Sequence, residues 1–377
     1  MTRLLVAAFG LGVFAGCSTG ADLLDAAAER YVELAWALDA HDPGYVDAYL
    51  GTRRPEPAPR ALEVIEDDVS RLLAKLGGTP ASPRKRFLRG QLTALHARTR
   101  ELRGESLSFD EELEALYGVT LPPLGEPEVQ AVHARLDELL PGDATLLARY
   151  TAYQRQTIVA VDELDELVTK ALEKCRRRTL QHVELPEGER VDVEYVRGKP
   201  WAAYHVYRGE LRSVVQINQD VAWTPRDVLE SVCHESYPGH HTLTVLAETE
   251  LVRRRGLKEF SVQTLPSPYG WRLEALASRG AELALDEGER NEIDRLGLRL
   301  RPIAADGARR YLEGRLDRVG TVLWLEKHAL MPDAWGFLRF VDRYRGYVMA
   351  YAERAWSETD DPWKRWGELA RRDDEIS

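Results

Sequence analysis

The stretch PEGERVDVEYVRGKPWAAYHVYRGELRSVVQINQD (186–220) differs in pattern from the rest of the chain. Short runs of β-branched and aromatic residues alternate with charged ones, and glycine and proline separate the runs, as in β-strands. Two or three strands in a small sheet are therefore predicted here. On both sides, apolar residues recur at three- and four-residue spacing, which indicates amphipathic helices. The sequence thus predicts a mainly α fold of many helices, with a small β-sheet inserted before the helix that follows.

The helical segments fall into two groups. Proline and glycine interrupt the helices of 17–142, which we predict to form an N-terminal helical subdomain. An apolar stripe from Asp143 to Arg177 predicts one long helix. Since no flexible linker is recognisable after it, 143–377 is predicted to be one helical core that contains the small sheet.

The first residues have the features of a lipoprotein signal peptide. Arg3 precedes an apolar run (4–16) that is too short to span a bilayer. Small residues stand before Cys17, which resembles a bacterial lipobox. We therefore predict a signal peptide at 1–16 and lipidation of Cys17. The lipid would hold the protein at the cell envelope, on the periplasmic side or in the outer membrane.

Charge and cysteine content exclude some classes of partner and of scaffold. The net charge of −11 is spread along the chain, which argues against nucleic acid or an anionic membrane surface as the main partner. We expect a peptide or small-molecule substrate, and contact with the membrane through the lipid alone. Cys175 and Cys233 are too few for a disulfide framework. They could pair in an oxidising compartment, but buried free thiols are the predicted state.

The octet HESYPGHH (234–241) carries the chemistry, because it holds three of the nine histidines beside a glutamate. Neutral imidazole is a preferred ligand of zinc, and an adjacent carboxylate can act as general base. In the common H-E-x-x-H pattern the second histidine follows one helical turn later. Here Pro238 occupies that position, so this spacing is lost.

A bend in the backbone would restore a metal site. On an unbroken helix His241 would face the same side as His234, but roughly 10 Å along the axis, too far to share an ion. Pro238 cannot donate a hydrogen bond to the preceding turn, and Gly239 permits an unusual conformation. A bend there could bring His240 or His241 towards His234, and the helical angle favours His241.

The octet resembles the H-E-x-x-P-G-H-H signature of the DUF885 family, bacterial proteins, often lipoproteins, regarded as zinc-dependent peptidases. The likeness covers most of 145–356, including 199–204, 217–220, 345–347 and Tyr351. It implies a large helical fold of the metallopeptidase kind.

The resemblance also implies a set of zinc ligands. His234 and a later histidine, His241 or else His240, would bind the metal. Glu235 would be the general base, and a glutamate from a following helix would complete the site.

The chain departs from the family at this last ligand. Where the family has a Glu-Gly pair, this sequence has Arg279 before Gly280. Arginine cannot bind zinc. Glu282, about one turn further on, could replace the missing carboxylate, and Glu274 is a second choice. If neither does, we expect an inactive lipoprotein that binds a peptide or another anionic ligand in the old cleft.

Four further side chains are candidates for contact with the substrate. Tyr237, Tyr351 and Tyr347 could donate hydrogen bonds to a tetrahedral oxyanion. Arg345 could hold a substrate carboxylate, and we count Arg345 and Tyr347 as substrate-binding residues. The function predicted from the sequence is a zinc-dependent hydrolase, above all a peptidase.

Overall fold

The computed structural model describes residues 20–52, 55–56, 59–121, 126–285, 291–352 and 361–372. In these ranges the chain is mainly helical, which confirms the predicted fold class. The predicted signal peptide and Cys17 lie outside the described residues. None of the helices in these ranges combines the length and the apolar composition that crossing a membrane requires.

Helices make up most of the chain before the predicted sheet. The first two helices contain no proline. Ser82 caps the third helix, which has Pro83 at its first position. A π-helical turn, Leu113–Tyr117, continues the fourth. In chain order they are α1 (Gly20–Asp39), α2 (Leu62–Gly77), α3 (Pro83–Leu102), α4 (Phe109–Glu112), α5 (Glu126–Leu139), α6 (Leu146–Arg155) and α7 (Leu164–Thr179).

The single long helix predicted from Asp143 to Arg177 is wrong, because the structure has α6 and α7 with turns between them. The run TIVAV (157–161) in this gap is rich in β-branched residues, which lower helix propensity. Ile158 and Val161, taken as part of the apolar stripe, are 47% and 56% exposed. The gap is held instead by a backbone hydrogen bond from Val159 to Trp223 (2.8 Å).

The predicted small sheet is present and contains three strands, β2 (Arg190–Val196), β3 (Ala203–Gly209) and β4 (Arg212–Asn218). Their order is β2-β4-β3, with β4 parallel to β2 and antiparallel to β3. A second sheet was not predicted. It pairs β1 (Val46–Tyr49) with β5 (Val262–Thr264) in antiparallel fashion, and such short strands carry too few residues to show an alternating pattern.

Helices resume after β4. A π-helical segment, Ala247–Arg254, and a 3-10 turn, Lys258–Ser261, lie before β5, and a second 3-10 segment, Arg345–Ala352, lies before the last helix. The α-helices are α8 (Pro225–Glu235), α9 (His240–Leu246), α10 (Pro268–Ala284), α11 (Glu292–Leu312), α12 (Arg318–His328), α13 (Ala334–Tyr344) and α14 (Pro362–Ala370).

Cys175 and Cys233 form a disulfide, so the prediction of free thiols is wrong. The bond joins α7 to α8, two helices that pack against each other. A sequence separation of 58 residues gave no sign of this neighbourhood. The disulfide fixes α8 immediately before the octet.

Helix α10 packs against elements from several parts of the chain. Its first half is almost completely buried, and it contacts α8, α9, β5 and the 3-10 segment Arg345–Ala352. A polar side chain in the middle of this helix is therefore largely removed from solvent. Glu274 is such a side chain, with 3% exposure.

Candidate metal centre

The octet forms the end of one helix, a tight bend and the start of the next. Thr224 caps α8, and the helix ends at Glu235. The backbone then turns through a cis peptide bond before Pro238, and α9 begins at His240. A Cβ atom on Gly239 would lie 1.7 Å from the carbonyl oxygen of His234, so no other residue fits there without a shift of the backbone.

The bend places His240, rather than His241, beside His234. The two ring centroids are 4.9 Å apart. Glu274 approaches from α10, with Oε1 2.8 Å from Nε2 of His234 and Oε2 3.4 Å from Nε2 of His240. Within the described ranges, these three side chains are the group whose donor atoms lie close enough together to hold a metal ion.

The donor atoms of this cluster suit a zinc ion. Two ligands of a tetrahedral zinc at about 2.1 Å lie roughly 3.4 Å apart, close to the separations observed. Glu274 Oε1 is buried and, in the described structure, accepts no hydrogen bond of good geometry, although His234 is near. Burial opposes the charge, yet the two histidines hold the pKa of Glu274 well below its usual range.

Glu235 lies beside the cluster in the same cleft as His240 and Glu274. Removal from water is the largest effect on the pKa of this carboxyl. Together with the charges of Glu274 and Asp47, and against the opposing influence of His240, it raises the pKa to about 7. Glu235, the general-base candidate, thus shares one cleft with two members of the cluster.

The cleft between β3, α10 and α13 spans about 670 Å³, including the space at its open mouth. Tyr347, a predicted substrate-binding residue, lines it and donates a hydrogen bond to Oε2 of Glu274 (2.9 Å). Tyr204 lines it as well and donates to Asp47. The further aromatic residues of the wall are Trp201, Phe340 and Tyr344.

His241, the first-choice ligand from the helical angle, lies outside the metal cluster. Its Nε2 is 3.0 Å from Oε2 of Glu189, and its Nδ1 is 2.7 Å from Oγ of Ser213. The side chain is completely buried. The angle assumed one continuous helix axis, whereas α9 starts on a new axis after the bend.

Glu282, the first choice for the carboxylate, also lies outside the cluster. It accepts a hydrogen bond from Arg279 (2.7 Å), and each of these side chains is about one third exposed. Neither lines the cleft. Glu274, the second choice, stands eight residues earlier, about 12 Å along the helix axis. Because Arg279 lies outside the cleft, its position does not support the alternative in which the cleft binds an anionic ligand.

The other predicted contacts divide between the cleft and the protein interior. Tyr237 is buried and donates to Glu189, away from the cleft. Arg345 forms an ion pair with the buried Glu112, with Nη2 2.7 Å from Oε2. This ion pair occupies the guanidinium group that was expected to hold a substrate carboxylate. The side chain of Tyr351 lies outside the described residues.

A series of hydrogen bonds between buried side chains lies beneath the cleft and was not predicted from the sequence. Burial raises the pKa of Glu189, but the hydrogen bonds that His241, Tyr237 and Arg176 donate to it lower this pKa to about 2. The carboxylate is therefore ionised and can only accept hydrogen bonds. The Nε2–H of His241 therefore donates to Glu189, and its Nδ1 accepts from Ser213. Ser213 Oγ in turn accepts from Nε2 of His205 (2.8 Å), a cleft residue.

Some cleft residues from distant parts of the chain were also not predicted from the sequence. Asp47 comes from β1, and no local pattern connects it with the octet. His205 was taken as structural. Tyr204 could have been suspected, since it lies in 199–204, a segment that the sequence comparison had already singled out.

Comparison with known proteins gives little further information. No protein-family model and no curated protein matches this sequence. A solved structure described as "the putative lipoprotein from Colwellia psychrerythraea" is similar, with 14% sequence identity and a TM-score of 0.48. The match covers 82% of this chain and 62% of that one, so the chain spans less than two thirds of that protein's length.

Proposed function

We propose that the protein is a zinc-dependent hydrolase, and specifically a peptidase. The observation that supports this most strongly is the junction of His234, His240 and Glu274 in the protein interior, with Glu235 beside it in an open cleft. Two imidazoles and one carboxylate are the ligand set of a large class of zinc hydrolases. The resemblance of the octet to the DUF885 signature supports the same function.

A zinc ion held by these three side chains would polarise a substrate carbonyl and make a water molecule easier to deprotonate. Glu235 would accept the proton of that water and pass it to the leaving amine. Tyr347 holds Oε2 of Glu274 in place through its hydroxyl group. The hydroxyl of Tyr344, which also lines the cleft, would donate a hydrogen bond to the developing oxyanion.

We also propose that the mature protein is anchored to the cell envelope through Cys17. The apolar run 4–16 and the small residues before Cys17 support this. Mass spectrometry of protein from a bacterial membrane fraction should find Cys17 as an acylated amino terminus. An intact peptide containing Arg3 and Cys17 in the mature protein would contradict the anchor.

Metal content tests the proposed centre. Protein purified from Ser18 onward should bind about one zinc ion per chain, because three protein ligands complete a catalytic zinc site. Glu274→Gln should lose most of this zinc. Glu282→Gln makes the same change on the same helix outside the cleft and should keep it. Equal zinc content in both variants, measured by atomic emission, would contradict the site.

Activity tests the role of Glu235. Glu235→Gln should keep its zinc but hydrolyse peptides at least about a hundredfold more slowly, the usual contribution of a general base. Peptide hydrolysis followed by mass spectrometry gives the rate. A variant with full zinc and an unchanged rate would remove Glu235 from the mechanism.

A further inference from the structure

The cleft contains a carboxylate that the proposed hydrolysis does not use. Asp47, on β1, lines the cleft together with His240 and Glu274. Tyr204 donates to its Oδ1. In the part of the chain that the structure describes, no lysine or arginine pairs with Asp47, and none lines the cleft. The second oxygen of this carboxylate is thus left for a ligand.

Asp47 is partly buried. A carboxylate that is partly removed from water and has no cation as partner is costly. Burial is the largest effect on the pKa of Asp47 and raises it, against the opposing influence of Tyr204 and His240. Tyr204 supplies one hydrogen bond and no positive charge. A cation bound from outside would offset the cost.

Aromatic rings surround the same space. Trp201 and Tyr204 stack with their centroids 5.3 Å apart, and Phe340 and Tyr344 form a second pair at 4.7 Å on α13. The faces of aromatic rings attract ammonium groups. Lys199 and Arg343 lie 5.9 Å from the ring centroids of Trp201 and Tyr344, but neither cation lines the cleft. A carboxylate among aromatic rings is a suitable receptor for an organic ammonium ion.

We propose that Asp47 binds the free α-amino group of the substrate, so that the enzyme cleaves near the amino terminus of short peptides. This inference rests on the proposed hydrolase function. Asp47 lines the same cleft as His240 and Glu274. An α-ammonium is one Cα atom away from the first carbonyl, whereas a lysine ammonium is separated from its carbonyl by a long side chain. Because the carboxylate and the metal cluster share one cleft, the amino terminus is favoured.

Paired substrates test the preference in the zinc-loaded protein. A short peptide with a free amino terminus should be cleaved with a kcat/KM at least tenfold higher than that of its N-acetylated form. Asp47→Asn should abolish this preference, mainly through KM. Asp192→Asn, which removes an exposed charge on β2, is the control and should retain it. Equal cleavage of both peptides by the unmodified protein would overturn the inference and leave the hydrolase function intact.

Binding to the metal-free protein separates the two proposals. In calorimetry, phenylalanine amide should bind at least tenfold more tightly than N-acetylphenylalanine amide, and Asp47→Asn should lose this difference while unfolding at a similar temperature. Equal binding of the two amides would overturn the inference. Preferential binding of the cation without hydrolysis of any peptide would instead support Asp47 as a receptor and count against the proposed enzyme.

Discussion

His240 and His241 are neighbours in sequence with opposite environments. The ring of His240 lies at the cleft, 3.4 Å from Glu274, and the ring of His241 lies between Ser213 and Glu189 in the interior. Burial lowers the pKa of His241, although Glu189 opposes this effect. His241 therefore has a structural role beneath the cleft, whereas we propose that His240 binds the metal.

The buried carboxylate of Glu189 predicts a pH-dependent contribution to stability. Its pKa falls from 4.5 to about 2 on folding, so its contribution is fully present above about pH 5 and is lost as the pH falls towards 2. Glu189→Gln should lower the free energy of unfolding at pH 7 by about 1.5–3 kcal/mol, because it weakens hydrogen bonds to a charged group.

Urea denaturation at several pH values measures this contribution. The deficit of the Glu189→Gln variant relative to the unmodified protein should shrink steadily between pH 5 and pH 2. Glu187→Gln, an exposed change two residues earlier, should show little deficit at any pH. A constant deficit for Glu189→Gln across this range would contradict the role of its charge.

At the scale of elements, the bend between α8 and α9 makes the site. Gly239 N donates to the carbonyl of Cys233 (3.1 Å), which folds the chain back onto the end of α8. Gly280 of α10 packs against this bend, since a Cβ atom there would lie 2.9 Å from Cγ of Pro238. Two glycines therefore permit α8, α9 and α10 to meet closely enough for one cluster.

Gly239→Ala tests the bend. The added Cβ would overlap the carbonyl of His234, so we expect a loss of more than about 3 kcal/mol in the free energy of unfolding, beyond ordinary overpacking, and the loss of bound zinc. Gly77→Ala, at the end of α2 with open space around it, is the control and should be neutral or slightly stabilising. Chemical denaturation and zinc content measure both effects. A Gly239→Ala protein with unchanged stability and zinc content would show that the bend tolerates a side chain.

At the scale of the whole molecule, the disulfide ties α7 to the helix that begins the site. A cross-link between residues 58 positions apart should stabilise the fold by about 4 kcal/mol through loop entropy. Replacing Cys175 and Cys233 together by alanine should therefore lower the melting temperature by several degrees.

Scanning calorimetry with and without reductant measures this effect. Reductant should lower the melting temperature of the unmodified protein towards that of the double variant and leave the variant unchanged. An equal response of both proteins to the reductant would mean that the disulfide does not carry this stability.

Much of the fold follows from local pattern. The three- and four-residue spacing of apolar residues identified most of the helices, and the alternation in 186–220 identified β2, β3 and β4. The division into 17–142 and 143–377 stays a prediction. The pattern failed at 157–161, where β-branched residues interrupt the helix, and at β1 and β5, which are too short to show a period.

The sequence by itself determined the chemistry available to this protein, namely a histidine-rich octet with a glutamate and a proline-glycine bend. It determined these because they are local, and the bend follows from residues that cannot continue a helix. Only the tertiary structure decided between His240 and His241, chose Glu274 over Glu282, and brought Asp47 into the cleft. Those outcomes depend on contacts between segments far apart in the chain, about which helical and strand periodicities carry no information.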